Sequence, residues 1–446
     1  MNLDLLYREH IAELSARSAR ALENSGYDRL LIHAGAPRVP FLDDNSYPFR
    51  TNPHFKHWLP LLEHPYSVLV ISAGDRPQLI YFQPRDYWHK PPTDPEGYWV
   101  EHFDIVLATS PEEISAALPA DLERCAYIGE NSQLLGGFRA EQINPPQLIA
   151  ELHYRRVYKT DYEIECLRRA NRSAARGHTA AREVFFDGGT ELDIHHAYLG
   201  DAEVLECELP YANIVAVNQH GSILHYHGAE RELLRSEDIH SLVIDAGAGY
   251  RGYASDITRS YAYRDGEYAE LVEAVDAVQR ALVDEVRIGV DFAELHWRAH
   301  LYLAELLSRF EFVHLEPEDI VAQGISRSFF PCGLGHFIGL QVHDVGGYLK
   351  SPGGEEYPRD PKAPFLRLVR KVEERQAFTI EPGIYFSDML LEELAQGPDA
   401  SRVNWRKVDE FRRYGGVRVE DCVVVHADGV ENQSRDAFRA TDGGKA

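Results

Sequence analysis

Residues 240–260 carry two acidic side chains in a pattern that could bind a cation. An apolar run ends on Asp245, a glycine-rich turn follows, and a second extended run carries Asp256. On neighbouring strands of one hairpin, the two carboxylates would point toward a common spot. Because an unpaired buried anion costs on the order of several kcal/mol, a cation between them is the natural compensation. Taken alone, the pair is better explained as two turn or surface acids, and the cation site depends on the residues further along the chain.

Three later segments each supply one further residue of metal-ligand type. The segment FFPCGLGHFIGLQVHD contains His336, AFTIEPGIYF contains Glu381, and GGVRVEDCVVV contains Glu420. Extended apolar residues precede both glutamates, so we expect them on buried strands where a free carboxylate is poorly tolerated. Four carboxylates and one imidazole suit Mn, Co, Fe or Zn, and the charge of four acids calls for two divalent ions.

The order of these residues resembles that of the dinuclear metallopeptidases, the family of methionine aminopeptidase, aminopeptidase P and prolidase. The segment GLGHFIGLQVHD is similar to one that aminopeptidase P and proline dipeptidases share, and TIEPGIYF and GGVRVED fit beside it. The resemblance covers nearly the whole chain and is strongest to the longer bacterial Xaa-Pro dipeptidases and bacterial organophosphorus acid anhydrolases. It implies an α/β (α+β) fold, in which an N-terminal creatinase/prolidase-like α/β domain precedes a pseudo-symmetric pita-bread catalytic domain.

The same resemblance implies metal-dependent hydrolysis of Xaa-Pro dipeptides by a hydroxide that bridges two divalent ions. Mn is the expected metal, with Co and Zn as alternatives. By analogy, Asp256 and Glu420 bridge the ions, Asp245 holds one ion, and His336 and Glu381 hold the other. Glu381 is also the expected general base.

Substrate contacts are assigned by the resemblance as well. His225 and His343 would stabilise the tetrahedral intermediate and protonate the leaving proline nitrogen, and Tyr211 would line the pocket. Arg367 would recognise the C-terminal carboxylate of the dipeptide. Arg418, two residues before Glu420, would share its face on a strand and hold a carboxylate, either the substrate's or that of a metal ligand.

Cys332 departs from the family pattern, because many prolidases carry a histidine at this position. A cysteine here could be an inert small hydrophobe, a reactive thiolate or an adventitious metal donor. We favour the inert interpretation, with part of the proton handling weakened or moved to His343.

Residues 41–66 are dense in aromatic residues, prolines and histidines, which is unusual for a simple connection. The segment could cover its own sheet. In the family, the matching loop, with paired acids at Asp43 and Asp44, reaches into the active site of the partner subunit. That second interpretation predicts a homodimer and a substrate contact for Asp44.

The remaining pattern predicts two domains, residues 1–157 and 158–446. A helix over 3–24 precedes alternating strands and helices, which indicates an α/β domain with a sheet. The predicted strands lie at 28–35, 66–74, 77–84, 103–110 and 125–130. A capping box from Thr160 to Glu163 begins the second domain, where a helix, a glycine stop and a second capped helix occur twice, suggesting an internal duplication. Residues 209–230 predict two strands around a polar turn.

Composition limits the classes of partner and compartment. The 446-residue chain has a formal net charge of −25, which argues against nucleic acid or an anionic membrane as a partner. Its five cysteines are scattered and without CxxC spacing, so we expect a reducing cytoplasm. No apolar run approaches membrane-spanning length. A small Xaa-Pro peptide is the expected partner.

Three alternatives remain open at the level of sequence. Aminopeptidase P would accept longer Xaa-Pro peptides with the same metal chemistry. Phosphotriester hydrolysis would be a side activity of the same site. A catalytically inactive binding protein on the same fold is disfavoured, because all five ligand positions are filled.

Overall fold

The computed structural model describes residues 2–130 and 136–441. The chain divides into one unit made of Met1–Cys166, Arg251–Tyr253 and Leu349–Glu356, and a second made of Leu167–Tyr250, Ala254–Tyr348 and Tyr357–Ala446. Both units combine helices with β-strands. The predicted mixed α/β fold class is therefore confirmed.

The first unit is built on a five-stranded sheet. Its helices are α1 (Leu3–Ser25), α2 (Pro53–Trp58), α3 (Pro111–Ala117) and α4 (Pro146–Arg156). Its strands are β1 (Arg29–His33), β2 (Val68–Ser72), β3 (Gln78–Phe82), β4 (Asp104–Ala108) and β5 (Cys125–Ile128). The strand order is β4-β3-β2-β1-β5, with β1 parallel to β5 and β3 parallel to β4. Each of the five strands falls within a segment predicted from its apolar run.

Local sequence accounts for the ends of the first helix. Asn2 accepts a hydrogen bond from the backbone N–H of Asp4 and so caps the start of α1. Gly26 ends the helix in the left-handed region at φ 76°. Later in the same unit, Thr160 and Glu163 form the predicted capping box, in which each side chain accepts from the other residue's backbone N–H.

Further helices and strands follow along the chain. The helices are α5 (Asp161–Phe186), α6 (Glu191–Ala202), α7 (Glu267–Glu285), α8 (Phe292–Arg309), α9 (Pro317–Ala322), α10 (Ser326–Phe329), α11 (Asp388–Gln396), α12 (Trp405–Arg412) and α13 (Gln433–Thr441). The strands are β6 (Ile214–Val217), β7 (Ser241–Asp245), β8 (Gly249–Tyr250), β9 (Tyr253–Ala254), β10 (Thr258–Ala262), β11 (Ala377–Ile380), β12 (Gly383–Tyr385), β13 (Gly416–Arg418), β14 (Asp421–His426) and β15 (Gly429–Asn432).

The second unit repeats one arrangement. Helices α5 and α6 precede a three-stranded antiparallel sheet of order β10-β7-β6, and α7 and α8 precede one of order β11-β14-β15. Apolar side chains of α5 and α6, among them Phe185 and Tyr198, pack against Leu242 and Ile244 of β7. The opposite face of β7 is thereby left to carry Asp245.

One predicted strand is absent. Residues 209–230 contain β6, but residues 223–230, described throughout, form turns and irregular structure. The alternation of Ile223, His225 and His227 suits a strand, yet all three residues are exposed and have no neighbouring strand to pair with. Of the helices in the described part of the chain, none combines the length and apolar character that crossing a membrane requires.

Candidate metal centre

Asp245 and Asp256 are brought together by the pairing of β7 with β10. Asp245 is the last residue of β7 and lies opposite Thr258, the first residue of β10. A Cβ at Gly247 would lie 2.2 Å from the carbonyl oxygen of Ser255, so the turn closes this tightly only with glycine.

The prediction that Asp256 lies on a strand was wrong. Asp256 lies two residues before β10. Its backbone groups bond to a thiol in place of a strand partner: the N–H donates to Sγ of Cys422 at 3.3 Å, and that thiol donates to the carbonyl oxygen at 3.0 Å. The cysteine of β14 therefore holds the backbone of Asp256 directly.

His336 and Glu381 are positioned by one close backbone contact. The N–H of Thr379 donates to the carbonyl of His336 at 2.9 Å, and the N–H of Glu381 donates to the carbonyl of Leu334 at 2.8 Å. The segment that carries His336 thus runs along β11, and Glu381 follows directly after this strand. A Cβ at Gly335 would lie 2.0 Å from the carbonyl oxygen of Thr379, which explains the glycine before His336.

Glu420 lies between β13 and β14, so both glutamates adjoin strands where the sequence predicted them within strands. Glu420 is buried and bridges to Thr258 of β10. Its N–H donates to the carbonyl of Thr258 at 3.0 Å, and the hydroxyl of Thr258 donates to Oε2 of Glu420 at 2.8 Å. These bonds hold the carboxylate of Glu420 next to the segment that carries Asp256.

The five predicted ligands converge. One ligand atom each of Asp256, His336 and Glu420 lies within 4.8 Å of the other two, and all three residues are buried. Nε2 of His336 lies 3.3 Å from Asp256 and 3.5 Å from Glu381. Nδ1 of His336 is bonded to the carbonyl of Phe337 at 3.0 Å, which leaves Nε2 facing the carboxylates.

Tyr211 joins Asp245 to this group. Its hydroxyl oxygen lies 2.7 Å from Oδ1 of Asp245 and 2.5 Å from Oδ1 of Asp256. Because a phenol has a single proton, Tyr211 can donate to only one of the two carboxylates at a time. One negative charge therefore remains uncompensated by this contact.

Arg418 contacts a predicted metal ligand. It is buried and donates to Oδ2 of Asp245 at 2.7 Å, to the hydroxyl of Tyr385 at 3.0 Å and to that of Thr258 at 3.1 Å. Of the two roles that the sequence left open, the structure therefore shows the contact with the carboxylate of a metal-ligand candidate.

The electrostatics of the cluster favour cations. Burial, together with the negative charges of neighbouring carboxylates, raises the pKa of Asp256, raises that of Glu381 to about 7, and raises that of Glu420 well above its usual range. Burial lowers the pKa of His336, but its contacts with Asp256 and Glu381 outweigh this and raise it. Divalent ions would neutralise the excess negative charge of these buried carboxylates. Carboxylate oxygens and one imidazole are also donors that suit such ions. The residues present therefore fit a divalent-metal site.

Two residues predicted to be catalytic, His225 and His343, and one predicted to bind substrate, Arg367, are exposed. The ring of His343 lies 4.4 Å, centroid to centroid, from that of His336. Desolvation and the positive charges of His336, Arg367 and His225 lower the pKa of His343. The charges of His225 and Arg367 therefore reach His343, which itself lies against His336.

Two further residues singled out by the sequence behave differently. Asp44 lies exposed in the first unit, where its side chain accepts a hydrogen bond from Asn45, and its assignment to substrate stays a prediction. Burial and the charge of Glu381 raise the pKa of Cys332 to about 12. Its thiol is therefore protonated at neutral pH, as the inert interpretation expects.

Sequence reasoning missed Thr258 and Tyr385, which hold Glu420 and Arg418, and the thiol of Cys422 behind Asp256. The two-residue spacing from Asp256 to Thr258 and from Glu420 to Cys422 was the available signal. This spacing can be interpreted only once the segments around Asp256 and Glu420 are known to be adjacent.

Family models and similar proteins indicate the protein family of this chain. Residues 165–427 match the model of metallopeptidase family M24, and residues 5–154 match the N-terminal domain of Xaa-Pro dipeptidases. The chain is 48% identical over 435 residues to Xaa-Pro dipeptidase 2 of Idiomarina loihiensis, covering 97% of this chain and 98% of that protein.

The chain belongs to metallopeptidase family M24.

Further similar proteins extend the comparison. The Xaa-Pro dipeptidase of Pseudoalteromonas translucida is 45% identical over 434 residues, covering 97% of this chain and 98% of that protein. Among solved structures, aminopeptidase P from E. coli superposes with a TM-score of 0.71 at 24% identity, over 96% of this chain and 98% of the other. Proline aminopeptidase P II from Yersinia pestis gives a TM-score of 0.68 at 24% identity, over 97% and 96% of the two chains. At this identity the structures establish the shared fold.

Proposed function

We propose that this M24 protein hydrolyses Xaa-Pro dipeptides with two divalent ions per subunit, most readily Mn²⁺. The observation that carries the proposal is the buried convergence of Asp256, His336 and Glu420, with Asp245 and Glu381 beside them. It occurs in a chain 48% identical to an Xaa-Pro dipeptidase along nearly its full length.

The five ligands would divide between the ions as the resemblance assigns them. Asp245, Asp256, His336, Glu381 and Glu420 would together hold the ions. Ions bound there supply Lewis acidity, which activates water at neutral pH and polarises the scissile carbonyl. Thr258, Tyr211 and Arg418 hold the carboxylates in place by the hydrogen bonds described above.

The chain's own residues would handle protons and substrate. Glu381 would accept a proton from the attacking water. His343 and His225 would donate to the developing oxyanion and to the leaving proline nitrogen, which needs a proton to depart. Arg367, exposed beside His343, would bind the C-terminal carboxylate of the dipeptide.

The test compares wild type with Glu381→Gln after metal removal and reconstitution with Mn, Co or Zn. Wild type should hydrolyse Ala-Pro and Leu-Pro only with metal. The variant should bind metal poorly and lose nearly all turnover, because both a ligand and the proton acceptor are gone. Near-normal turnover by Glu381→Gln would remove this residue from the mechanism. A wild type that binds metal but cleaves no Xaa-Pro substrate would point to the inactive binding protein.

Substrate length separates the dipeptidase from aminopeptidase P. A carboxylate clamp at Arg367 penalises extension beyond proline, so an Xaa-Pro-Yaa tripeptide should be cleaved much more slowly than the dipeptide. Equal rates would favour the aminopeptidase P alternative. Phosphotriester hydrolysis stays a prediction from the sequence resemblance.

We also propose a homodimer located in the cytoplasm. The segment around Asp44 exposes Phe41 at 91%, Leu42 at 89% and Tyr47 at 59%, which is typical of a surface that binds another chain. No disulfide joins any of the cysteines in the part of the chain that the structure describes, which suits a reducing compartment. Light scattering of wild type and of Phe41→Ser with Leu42→Ser measures whether this segment supports a dimer.

A further inference from the structure

A buried group of charged side chains lies directly behind Glu420. Asp421, the next residue, is fully buried and accepts from two guanidinium groups. Arg259 Nη2 lies 2.6 Å from its Oδ1, and Arg435 Nε lies 2.7 Å from its Oδ2. Asn432 adds a bond of 2.9 Å to Oδ2. Because both oxygens of Asp421 are held, the peptide that joins it to Glu420 is held as well.

Arg259 also donates to the backbone of two residues next to each other at the metal centre. Its Nη1 donates to the carbonyl of Glu420 at 2.8 Å and to the carbonyl of Thr258 at 2.8 Å. Thr258 is two residues after Asp256, so one guanidinium is bonded to the two backbone segments that carry the expected bridging ligands. The planar fork of arginine serves three acceptors in different directions, which the compact ammonium of lysine does not reproduce.

Helix α13 covers this network. Arg435 of α13 donates to Asp276 at 2.6 Å and to Gln279 at 2.8 Å, both on α7. The ring centroid of Phe438, one turn further along α13, lies 4.7 Å from Cζ of Arg259. Arg259 is therefore bonded to Asp421 and stacked against α13, which restricts its rotamers.

We propose that Arg259 is a positioning residue for the metal centre, held in place by Asp421 and α13. The inference rests on the proposed function, because it takes Asp256 and Glu420 to be metal ligands. Without Arg259, the carbonyls of Thr258 and Glu420 lose their shared donor. The two carboxylates then rely on the bonds between Thr258 and Glu420 and on the thiol of Cys422, which leaves them less firmly positioned. Residues that orient metal ligands in this way typically contribute about 10–100-fold in metal affinity.

The experiment titrates Mn²⁺ into metal-free protein by calorimetry, for wild type, Arg259→Lys and Arg259→Met. Both variants should bind Mn²⁺ about 10–100-fold more weakly. Lysine keeps the charge but not the fork, so it should recover little of the affinity. Turnover at saturating Mn²⁺ should fall less than turnover at low Mn²⁺, since added metal compensates for weaker binding.

The matched control is Arg168→Met. Arg168 makes a bidentate pair with Glu431 at 2.5 and 2.8 Å and is similarly buried, but these bonds do not join it to a metal ligand. Its loss should lower the melting temperature and leave Mn²⁺ affinity unchanged.

The outcomes separate the two proposals. Wild-type Mn²⁺ affinity in Arg259→Lys overturns the positioning role alone, as does an equal loss of affinity in Arg168→Met. A wild-type protein that binds no divalent ion overturns the proposed function, and the inference with it. If Arg259→Met does not fold, Arg259→Lys and Phe438→Leu carry the test, and Phe438→Leu should weaken Mn²⁺ binding by a smaller factor.

Discussion

Protons and metal ions compete for the same side chains in the metal centre. Burial and mutual repulsion raise the pKa of Asp256 and Glu420 and set that of Glu381 at about 7, while contact with the carboxylates raises that of His336. Metal binding requires all four side chains in their deprotonated forms. Each raised pKa therefore makes metal binding weaker as the pH falls.

Metal affinity is expected to fall as the pH drops. Below about pH 7, Glu381 holds a proton that the metal must displace, which costs about tenfold in affinity per pH unit and per proton. Mn²⁺ titrations at pH 6, 7 and 8, each in two buffers of different ionisation enthalpy, measure both the affinity and the protons released. An affinity that stays constant from pH 8 to pH 6 would contradict the raised pKa of Glu381.

The hydroxyl of Tyr211 is expected to extend metal binding toward lower pH. Its hydrogen bond lowers the pKa of Asp256, so Tyr211→Phe should raise that pKa and make Mn²⁺ affinity decline from a higher pH. Tyr226→Phe is the control, since its hydroxyl donates to a buried carboxylate, Glu191, that is not among the five ligands. Identical pH profiles for Tyr211→Phe and wild type would show that the hydroxyl does not act on the carboxylates.

At the scale of elements, the proposed ligands lie where strands begin or end. Asp245 ends β7, Glu381 follows β11, and Glu420 separates β13 from β14. The hydrogen bonds between strands fix the backbone at these points. The side chains there are not packed within the sheet and can face the metal centre. The strands thus fix the backbone positions of the proposed ligands, as a preorganised site requires.

Gly335→Ala is expected to disrupt the metal centre by displacing a backbone segment, while all five proposed ligands are kept. The added methyl would lie 2.0 Å from the carbonyl oxygen of Thr379, so the His336 segment must move away from β11. We expect a loss of about 1–3 kcal/mol in stability and at least tenfold weaker Mn²⁺ binding. Gly200→Ala is the control, because a Cβ there meets nothing within 4 Å on helix α6, where alanine is favoured. Retained Mn²⁺ affinity in Gly335→Ala would show that the segment tolerates the shift.

At the scale of the whole molecule, the net charge of −25 and the carboxylates of the metal centre have the same sign. Four acids of the centre share one imidazole and one nearby guanidinium, so the folded chain concentrates negative charge where water cannot screen it. Divalent ions relieve this repulsion only in the folded state, because the ligands are far apart along the chain.

Mn²⁺ is therefore expected to stabilise the fold. At a free concentration of about 100 times its Kd, a single bound ion contributes about 2.7 kcal/mol. Calorimetric scans of the chelator-treated protein with and without Mn²⁺ should show a higher melting temperature with metal, in one transition or two if the units unfold separately. Asp256→Asn should abolish most of the increase, and a full increase in that variant would place the ion elsewhere.

The sequence by itself predicted which residues are candidate metal ligands and which strands and helices lie nearby. Asp245, Asp256, His336, Glu381 and Glu420 are recognisable because each stands in a local context of apolar residues and glycines, and local context is encoded in adjacent residues. The five strands of the first unit were predicted for the same reason. The strand expected over 223–230 was wrong because a strand also needs a partner, which alternation alone does not supply.

Only the tertiary structure decided how the ligands are held. Thr258 meets Glu420, Arg259 meets Asp421, and the thiol of Cys422 meets the backbone of Asp256, each across more than 160 residues of chain. Such contacts depend on the register between strands distant in sequence, and register follows from the packing of the whole unit. No property of Arg259 or Cys422 in its own segment distinguishes it from an ordinary strand residue.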